Sequence, residues 1–435
     1  MNPYPTDHYR SLRIALLGAG SVGSQVARLL LEHRDELAAR VGAPLELVGI
    51  GVRDVAAKRD VELPAELLTD DLGTLVASAD IVVELLGGIE PARSLLLDAL
   101  AAGADVVTAN KALIAAHGPE LFQAAETVGA QVNYEAAVGG AIPIIRPLEQ
   151  SLAGDRVMRV MGIVNGTTNF ILDRMHTEGS TLEEALAVAT ELGYAEADPT
   201  ADIEGFDAAS KATILASLAF HTVVPVEVVH RQGITGVTDA MVEQAERNDR
   251  VLKLVAICER LEGEGGEAVS ARVHPVSLPA THPLAAVREA KNAIFVTAES
   301  AGDLMFYGAG AGGPETASAV LGDLVSIARR HVLGGPGAAA STHADLPIAP
   351  FGDVLARHEL ALTVADRSGV LAGVAGLFAE HGVSVESVRQ DPADGEASLV
   401  LGTHTASEAR IAAVLDALEA HPDVERIDSV IRLID

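Results

Sequence analysis

Lysine and carboxylate side chains stand at spacings that suit proton transfer and the binding of a substrate ammonium group. Asp207 and Lys211 are four residues apart, so in a helix they share one face. Residues 212–220 are largely apolar, which predicts that this helix is mostly buried. Glu196 lies shortly before them, in the acidic segment 193–199. Such acids could hold an ammonium group while the lysine moves a hydroxyl proton, although an exposed helical ion pair would show the same spacing.

A second lysine, Lys111, follows an apolar run that ends at Thr108. Ligands of an open parallel sheet bind beyond the carboxyl ends of its strands, so both residues lie where a ligand is expected. A desolvated lysine near another cation loses its proton readily, which suits the proton transfer that accompanies hydride transfer. A surface lysine at the start of a helix is the alternative interpretation of Lys111.

A glycine-rich turn predicts dinucleotide binding. It follows the first apolar strand, opens a helix and consists of Gly18, Ala19, Gly20, Ser21, Val22 and Gly23. In this pattern the first glycine permits a tight turn, the second lets a pyrophosphate approach the backbone, and the third lets helix and strand pack closely. At the end of the second strand, Arg53 favours NADP(H), whereas the adjacent Asp54 leaves NAD(H) open.

Two further loops contain residues that could bind ligands. Glu135 precedes a glycine loop, where its carboxylate and outward-pointing carbonyl groups could bind a cation, although the residues alone favour a plain glycine-rich turn. Thr167 lies in the run NGTTN, residues 165–169, between an apolar strand and a helix. Free N–H groups at that helix start could hold a carboxylate, and helix capping explains the threonines equally well.

The elements that position these residues alternate between strands and helices in the first third of the chain. Strands are predicted over 14–17, 45–52, 81–86, 105–108 and 131–134, and helices over 22–40, 91–102 and 111–128. Near-continuous apolar strands alternating with helices predict an α/β fold, here a Rossmann-like parallel sheet covered on both faces. The middle of the chain has helices over 182–192 and 207–221 and apolar runs at 251–257, 268–276 and 293–300, which predicts an α+β domain.

The last part of the chain predicts a separate small module. Glycine, proline, alanine and serine over 333–350 mark a linker, and the order of elements beyond it is βαββαβ, a ferredoxin-like arrangement. We therefore predict a nucleotide-binding domain over 1–134, a catalytic and oligomerisation domain over 135–332, a linker over 333–354 and a C-terminal module over 355–435.

Composition excludes several classes of function. The chain has 435 residues, 31 basic and 61 acidic side chains and a formal net charge of −30, which repels nucleic acid and anionic membranes. Its one cysteine, Cys258, excludes an internal disulfide and multi-cysteine zinc sites. The sequence predicts a cytoplasmic protein without nucleic-acid or membrane partners.

Together these segments resemble homoserine dehydrogenases of the long form, which carry a C-terminal ACT domain. The resemblance rests on residues 193–196 followed by Asp207 and Lys211, and on the runs 108–111, 135–143 and 165–169, all in the family's order. It implies reversible NAD(P)-dependent oxidation of L-homoserine to L-aspartate 4-semialdehyde, on the route to threonine, methionine and isoleucine.

The resemblance also implies roles for individual residues. Lys211 would be the proton donor with Lys111 and Asp207 as further catalytic residues, and Glu196, Asp207 and Thr167 would bind substrate. Cofactor contacts would come from Arg53, Thr108, Lys111, Gly193 and Gly312 besides the glycine-rich turn. A sodium ion would be held by Glu135 with the carbonyls of Val138, Gly140 and Ile142. In the ACT domain Asp366, Gly369, Val370 and Leu371 would bind a threonine effector, unless that module only pairs subunits of a homo-oligomer.

Two rival functions use other features. An enzyme similar to aspartate-semialdehyde dehydrogenase needs a thiolate nucleophile, and Cys258 follows an apolar run typical of a core cysteine. A non-catalytic sensor of nucleotide and amino acid has no use for Lys111 and Lys211.

Overall fold

The computed structural model describes residues 9–59, 61–263, 265–335, 342–393 and 396–434. The chain forms two compact units, each built from separate stretches. The first unit contains Met1–Val160, Ser210–Glu227 and Lys291–Asp345, and the second contains Met161–Ala209, Val228–Ala290 and Leu346–Asp435. The boundaries predicted in chain order stay predictions, and residues 336–341 of the predicted linker lie outside the described residues.

The first unit begins with a parallel sheet and its helices. The elements are β1 (Leu12–Leu17), α1 (Ser21–Glu32), α2 (Arg34–Val41), β2 (Leu45–Gly51), β3 (Leu68–Thr69), α3 (Leu72–Ala77), β4 (Ile81–Glu84), α4 (Ala92–Ala101), β5 (Asp105–Thr108), α5 (Lys111–Val128) and β6 (Val132–Asn133). Strand order is β3-β2-β1-β4-β5-β6, with every pair parallel. The predicted Rossmann-like sheet is confirmed. The helix predicted over 22–40 is two helices, because the chain turns at His33.

The middle of the chain supplies elements to both units. They are β7 (Val157–Ile163), α6 (Gly166–Glu178), α7 (Leu182–Glu191), α8 (Thr200–Ile203), α9 (Phe206–Phe220), β8 (His230–Arg231), α10 (Asp239–Arg247), β9 (Arg250–Gly263), β10 (Gly266–Pro279), β11 (Lys291–Ala298), β12 (Gly302–Ala309) and α11 (Gly313–Leu333). In the first unit, α11 packs against α1 and α2. Val320 and Leu324 of α11 join Val26 and Leu30 of α1 in one buried core, so a late helix completes the early domain.

The second unit contains the C-terminal module. Its elements are β13 (Leu355–Ala365), α12 (Val370–Glu380), β14 (Val385–Ala393), β15 (Glu396–Thr403), β16 (Ala406–Ser407), α13 (Glu408–Glu419) and β17 (Val424–Leu433). The order β17-β13-β15-β14 confirms the ferredoxin-like prediction. The same sheet continues through β10, which pairs with β17 at Val276 and Ser277, and then through its antiparallel partner β9. Among the described residues, no helix combines the length and the apolar character needed to cross a membrane.

Candidate functional site

The glycine-rich turn lies between β1 and α1 with the geometry that a phosphate-binding turn needs. Gly18 has a φ of +101°, and a Cβ there would stand 2.6 Å from the carbonyl oxygen of Leu85. A Cβ at Gly23 would stand 2.1 Å from the carbonyl oxygen of Gly18, so neither position tolerates a side chain. Nothing lies within 4 Å of a Cβ at Gly20, the residue before α1. The free N–H groups of that helix start therefore face open space that a pyrophosphate could fill.

A second helix begins at the same place. A Cβ on Gly313, the first residue of α11, would stand 2.8 Å from Oγ of Ser21, the first residue of α1. Gly312 precedes α11 with a φ of +134° and is exposed beside this turn. This placement fits the contact to cofactor expected of Gly312. Ala19 and Val22 pack partly against the core of the unit.

The loop after β2 contains Arg53 and Asp54, the two residues predicted to select the cofactor. The Asp54 carboxylate accepts the N–H of Ala56 at 2.8 Å, and the backbone carbonyl oxygen of Asp54 accepts a hydrogen bond from Nη2 of Arg59 at 2.7 Å. Both Arg53 and Asp54 are exposed directly after the strand, and of the two Asp54 is bonded to its own loop. A carboxylate that already accepts a backbone N–H is less suited to a ribose hydroxyl than an uncommitted one.

A buried carboxylate joins the ends of β4 and β5, and sequence reasoning missed it. Glu84 is fully buried, and its Oε2 accepts the Thr108 hydroxyl at 2.6 Å. Its Oε1 accepts the N–H groups of Leu86 at 2.7 Å and Gly87 at 3.2 Å. Burying a charge is costly unless it is hydrogen-bonded, and these three hydrogen bonds offset that cost for the Glu84 carboxylate. The one available signal was an acid at the end of an otherwise apolar strand.

The same network positions Lys111 at the start of α5. The N–H of Asn110 donates to Oγ1 of Thr108 at 3.0 Å, and its amide donates to the carbonyl of Gly88 at 2.6 Å. The Asn110 side chain also caps α5 by accepting the N–H of Leu113 at 3.1 Å. Lys111 is the first residue of that helix and half-buried. Thr108 is the last residue of β5 and Lys111 the first of α5, as the sequence predicted, and their roles toward a cofactor stay predictions.

In the second unit, α6 presents the NGTTN run. Asn165 caps the helix by accepting the N–H of Thr168 at 2.9 Å. Its amide donates to a carboxylate oxygen of Asp207 at 3.0 Å and to one of Asp202 at 2.7 Å. The Thr167 hydroxyl donates to the carbonyl of Tyr194 at 2.7 Å. The helix start is therefore bonded both to the predicted substrate acid, Asp207, and to the GYAE segment, residues 193–196.

Helix α9 contains the pair that the spacing singled out. Asp207 and Lys211 lie one turn apart and are both only 8% exposed, which excludes a simple surface ion pair. Gly193 and Glu196 are exposed on the segment after α7. Lys211 and Lys111 belong to the first unit and Glu196 to the second, so their convergence stays a prediction.

The glycine loop after β6 differs from the expected sodium site. Both carboxylate oxygens of Glu135 accept N–H groups: Ile144 and Ile145 at 2.5 and 2.7 Å, and the backbone and Nε of Arg146 at 3.1 and 2.8 Å. A carboxylate saturated in this way does not fit a cation. Val138, Gly140 and Ile142 have no polar side chain, so they could bind a cation only through their backbone carbonyl oxygens. No cluster of potential metal-binding side chains occurs among the described residues.

A buried acid on α11 holds the same loop. Oδ2 of Asp323 accepts the N–H of Glu135 at 2.7 Å. Burial raises the pKa of Asp323 to about 7, and the nearby Arg146 guanidinium opposes this shift. Asp323 gave no signal in the sequence, because it lies within an ordinary amphipathic helix.

The predicted effector turn lies between β13 and α12. Asp366 and Gly369 are exposed, and Gly369 has a φ of +96°. Val370 is 4% exposed and packs in the core of the module, so its side chain is not available to a ligand. Leu371, the next residue, is 40% exposed.

Cys258 lies in the middle of β9. It is fully buried, and burial raises the pKa of its thiol to about 12. Nucleophilic catalysis needs a thiolate that the substrate can reach. This thiol does not fit the rival reaction that depends on one.

Comparison with known protein families gives three matches along the chain. Residues 18–135 match the homoserine dehydrogenase NAD-binding domain, residues 143–325 match homoserine dehydrogenase, and residues 358–423 match the ACT domain. The homoserine dehydrogenase of Corynebacterium glutamicum is 54% identical over 423 residues, which cover 97% of this chain and 95% of that protein.

Solved structures agree with these matches. A homoserine dehydrogenase from Thiobacillus denitrificans superposes with a TM-score of 0.90 at 37% identity and covers 98% of both chains. A hyperthermophilic archaeal homoserine dehydrogenase in complex with NADPH has a TM-score of 0.62 at 29% identity and covers 75% of this chain and 99% of that chain.

Proposed function

Because the chain belongs to the homoserine dehydrogenase family, we propose that its buried lysine and acids divide the work of that reaction between proton transfer and substrate binding. The enzyme is an NAD(P)-dependent oxidoreductase that acts on a CH–OH group and interconverts L-homoserine and L-aspartate 4-semialdehyde. The observation that carries the proposed roles is the hydrogen-bonded group of Asn165, Asp202 and Asp207 one turn from Lys211.

Substrate binding falls to the acids and to the start of α6. A buried carboxylate such as Asp207 attracts an ammonium group strongly, because water does not screen the interaction. Asn165 fixes that carboxylate through its amide, and Glu196 supplies a second acid on the segment bonded to Thr167 through Tyr194. These residues hold the substrate amino group.

Lys211 moves the proton at the reacting oxygen. When bound, the reduced nicotinamide supplies the hydride that the aldehyde carbon accepts. The Lys211 ammonium donates its proton to the aldehyde oxygen in this direction and, as the neutral amine, accepts the hydroxyl proton in the other. A cation there stabilises negative charge that develops on the oxygen, and Lys111 adds to this field. Holding the reactants in one orientation supplies a large share of the acceleration.

The cofactor is NADP(H) in preference to NAD(H) in this proposal. Arg53 and Asp54 are both exposed after β2, but one oxygen of the Asp54 carboxylate accepts an N–H of its own loop, so Arg53, which favours a 2′-phosphate, is the less committed of the two. The archaeal relative with bound NADPH supports this choice.

Three further parts of the proposal concern a cation, an effector and the assembly of subunits. The carbonyl oxygens of Val138, Gly140 and Ile142 are the remaining candidates for sodium, without the Glu135 carboxylate. The ACT domain binds threonine at the exposed turn of Asp366, Gly369 and Leu371. Pairing of ACT domains makes the enzyme a homo-oligomer.

One set of initial rates tests these proposals. Homoserine oxidation is followed by absorbance of the reduced cofactor with NADP or NAD, with and without threonine. We expect NADP to give the higher kcat/KM and threonine to lower the rate. A preference for NAD would contradict the role of Arg53, and a rate independent of threonine would contradict the effector site. Absence of homoserine oxidation with either cofactor would contradict the proposed function.

A further inference from the structure

One lysine that the mechanism does not use is fully buried in the second unit. Lys253, on β9, has no exposed surface, which is rare for a lysine. Its Nζ donates to Oδ1 of Asn169 at 2.9 Å and to the carbonyl oxygen of Val287 at 2.6 Å, and it lies 4.0 Å from Oδ1 of Asp173. The ammonium therefore contacts two side chains of α6.

The partners of Lys253 tie α6 to the loop before β11. The Asn169 amide donates to the carbonyl oxygens of Glu289 at 2.8 Å and Val287 at 3.3 Å. The Asp173 carboxylate accepts Nη1 of Arg288 at 2.9 Å and the N–H of Glu289 at 2.8 Å. One face of α6, about one turn long from Asn169 to Asp173, is thus fixed to β9 and to this loop, in part by charge-assisted hydrogen bonds, which are stronger than neutral ones.

Asn169 is one turn beyond Asn165 on the same helix, so whatever fixes Asn169 fixes the helix start. That start carries the Asn165 amide, which holds the Asp207 carboxylate, and the Thr167 hydroxyl, which holds the GYAE segment. A shift of α6 along its axis would move both groups together. The position of the substrate acids therefore depends on the anchor beneath α6.

We propose that Lys253 is a positioning residue for the substrate, which holds the start of α6 in the register that lets Asn165 and Thr167 orient Asp207 and the GYAE segment. The inference rests on the proposed role of these residues in binding the substrate amino group. Lys253 acts through Asn169 and touches no reacting atom.

Charge is the reason that a lysine serves here. Burial lowers the pKa of Lys253 to about 8, Asp173 opposes the shift and Arg288 adds to it, so the ammonium is still charged at neutral pH. An ammonium group has three donors, and here it donates hydrogen bonds to an amide oxygen and a carbonyl oxygen while its charge pairs with the Asp173 carboxylate at 4.0 Å. An apolar side chain of the same length would fill the space on β9 without holding Asn169.

The test compares Lys253→Met with Arg272→Met. Arg272 is a buried cation on the adjacent strand β10, where it pairs with Glu259 at 2.7 Å. Its hydrogen bond and ion pair in the described residues do not involve α6. Arg272→Met therefore removes a comparable buried charge without removing a polar contact to α6. We expect Lys253→Met to raise the homoserine KM about tenfold and to leave the NADP KM within about twofold, since only interactions with homoserine are lost. Arg272→Met should lower the Tm with both KM values near those of the parent.

A conservative variant completes the design. Lys253→Gln keeps an N–H donor for Asn169, so its homoserine KM should lie between those of the parent and Lys253→Met, and it replaces Lys253→Met if that variant does not fold. A homoserine KM unchanged in these variants, or raised equally with the NADP KM, would overturn the inference while the parent still oxidises homoserine. A parent enzyme inactive on homoserine would instead refute the proposed function.

Discussion

At the scale of single residues, most of the side chains to which we assign roles in this enzyme are polar or charged and yet buried. Lys211, Asp207 and Glu84 are each less than a tenth exposed. In such surroundings an ionised group interacts strongly with substrate charge and needs little reorganisation during the reaction. We therefore expect a distinct kinetic effect when the charge of each of these three residues is removed.

Lys211→Ala should lose turnover far more than cofactor affinity. The variant lacks the proton donor and the cation that stabilises the developing oxyanion, so we expect kcat to fall by about 10²–10⁴-fold. The NADP KM, measured under saturating homoserine, should change little. Lys291→Ala, at the start of β11, removes a lysine with no role in the proposed mechanism and is the control, which should keep the kcat of the parent. Activity of Lys211→Ala within a few-fold of the parent would contradict the role of this residue.

Glu84→Gln should weaken cofactor use. The amide cannot accept the Thr108 hydroxyl and two backbone N–H groups as the carboxylate does, so the ends of β4 and β5 lose their common anchor. We expect kcat/KM for NADP to fall about tenfold with a nearly unchanged homoserine KM. Glu90→Gln, an acid of the following loop that is about half exposed, should behave like the parent. Equal kinetic constants of the Glu84→Gln and Glu90→Gln variants would contradict the proposed role of Glu84 in cofactor use.

At the scale of elements, the sequence predicts best where one pattern is uninterrupted. The strands of the parallel sheet are buried on both faces, and their continuous apolar runs placed β1, β2, β4 and β5 closely. The apolar runs at 251–257 and 268–276 match only part of β9 and β10, each 14 residues long, because β9 continues through the mostly polar and more exposed residues 259–263 and β10 begins at the exposed Gly266. Anchors such as Glu84, Lys253 and Asp323 were not predictable, since only tertiary contacts distinguish them from surface charges.

Asp323 links α11 to the loop of Glu135 and makes stability depend on pH. Its pKa is raised from an ordinary 3.8 to about 7, so between these values the folded protein binds more protons than the unfolded chain. The stabilisation associated with this group is therefore fully present below about pH 4 and is lost as the pH rises through 7.

Asp323→Asn should reduce that loss, because the amide stays neutral and can still accept the N–H of Glu135. We expect the Tm difference between variant and parent to move in favour of the variant by a few degrees from pH 5 to pH 8. Differential scanning fluorimetry measures it, with Asp98→Asn, an exposed acid of α4, as the control. A Tm difference that does not vary with pH would contradict the raised pKa of Asp323.

At the scale of the whole molecule, chain order and spatial order differ. The first unit includes α11, although nearly 200 residues separate it from β6, and the second unit joins the ACT sheet to β10. Sequence patterns locate elements but not the long-range pairs between them, so predicted boundaries followed the chain. Within the second unit, Arg250 donates to the carbonyl oxygens of Ser277 and Ile434, which ties β9, β10 and the end of β17 together.

Arg432→Met should destabilise the ACT domain, where Arg432 on β17 pairs with Glu408 on α13, and remove its bond to Gln232 outside the domain. Arg432 binds both carboxylate oxygens of Glu408 at 2.7 and 2.9 Å and the Gln232 side chain at 2.9 Å. Removing one partner of a buried pair leaves the other charge uncompensated, which costs about 3 kcal/mol or more. We expect a lower Tm and faster proteolysis within the ACT domain, whereas Arg426→Met, at an exposed residue of β17, should leave both unchanged. An unchanged rate of proteolysis of Arg432→Met would contradict this role of Arg432.

The most direct test of the account compares homoserine with 4-hydroxybutyrate, which lacks the amino group. If buried acids hold that group, the parent should prefer homoserine by about 10³-fold or more in kcat/KM, and Asp207→Asn should lower this ratio by at least about tenfold through loss of homoserine kcat/KM. The ratio is measured from initial rates with saturating NADP. A ratio that Asp207→Asn leaves unchanged would contradict the claim that this carboxylate recognises the substrate ammonium.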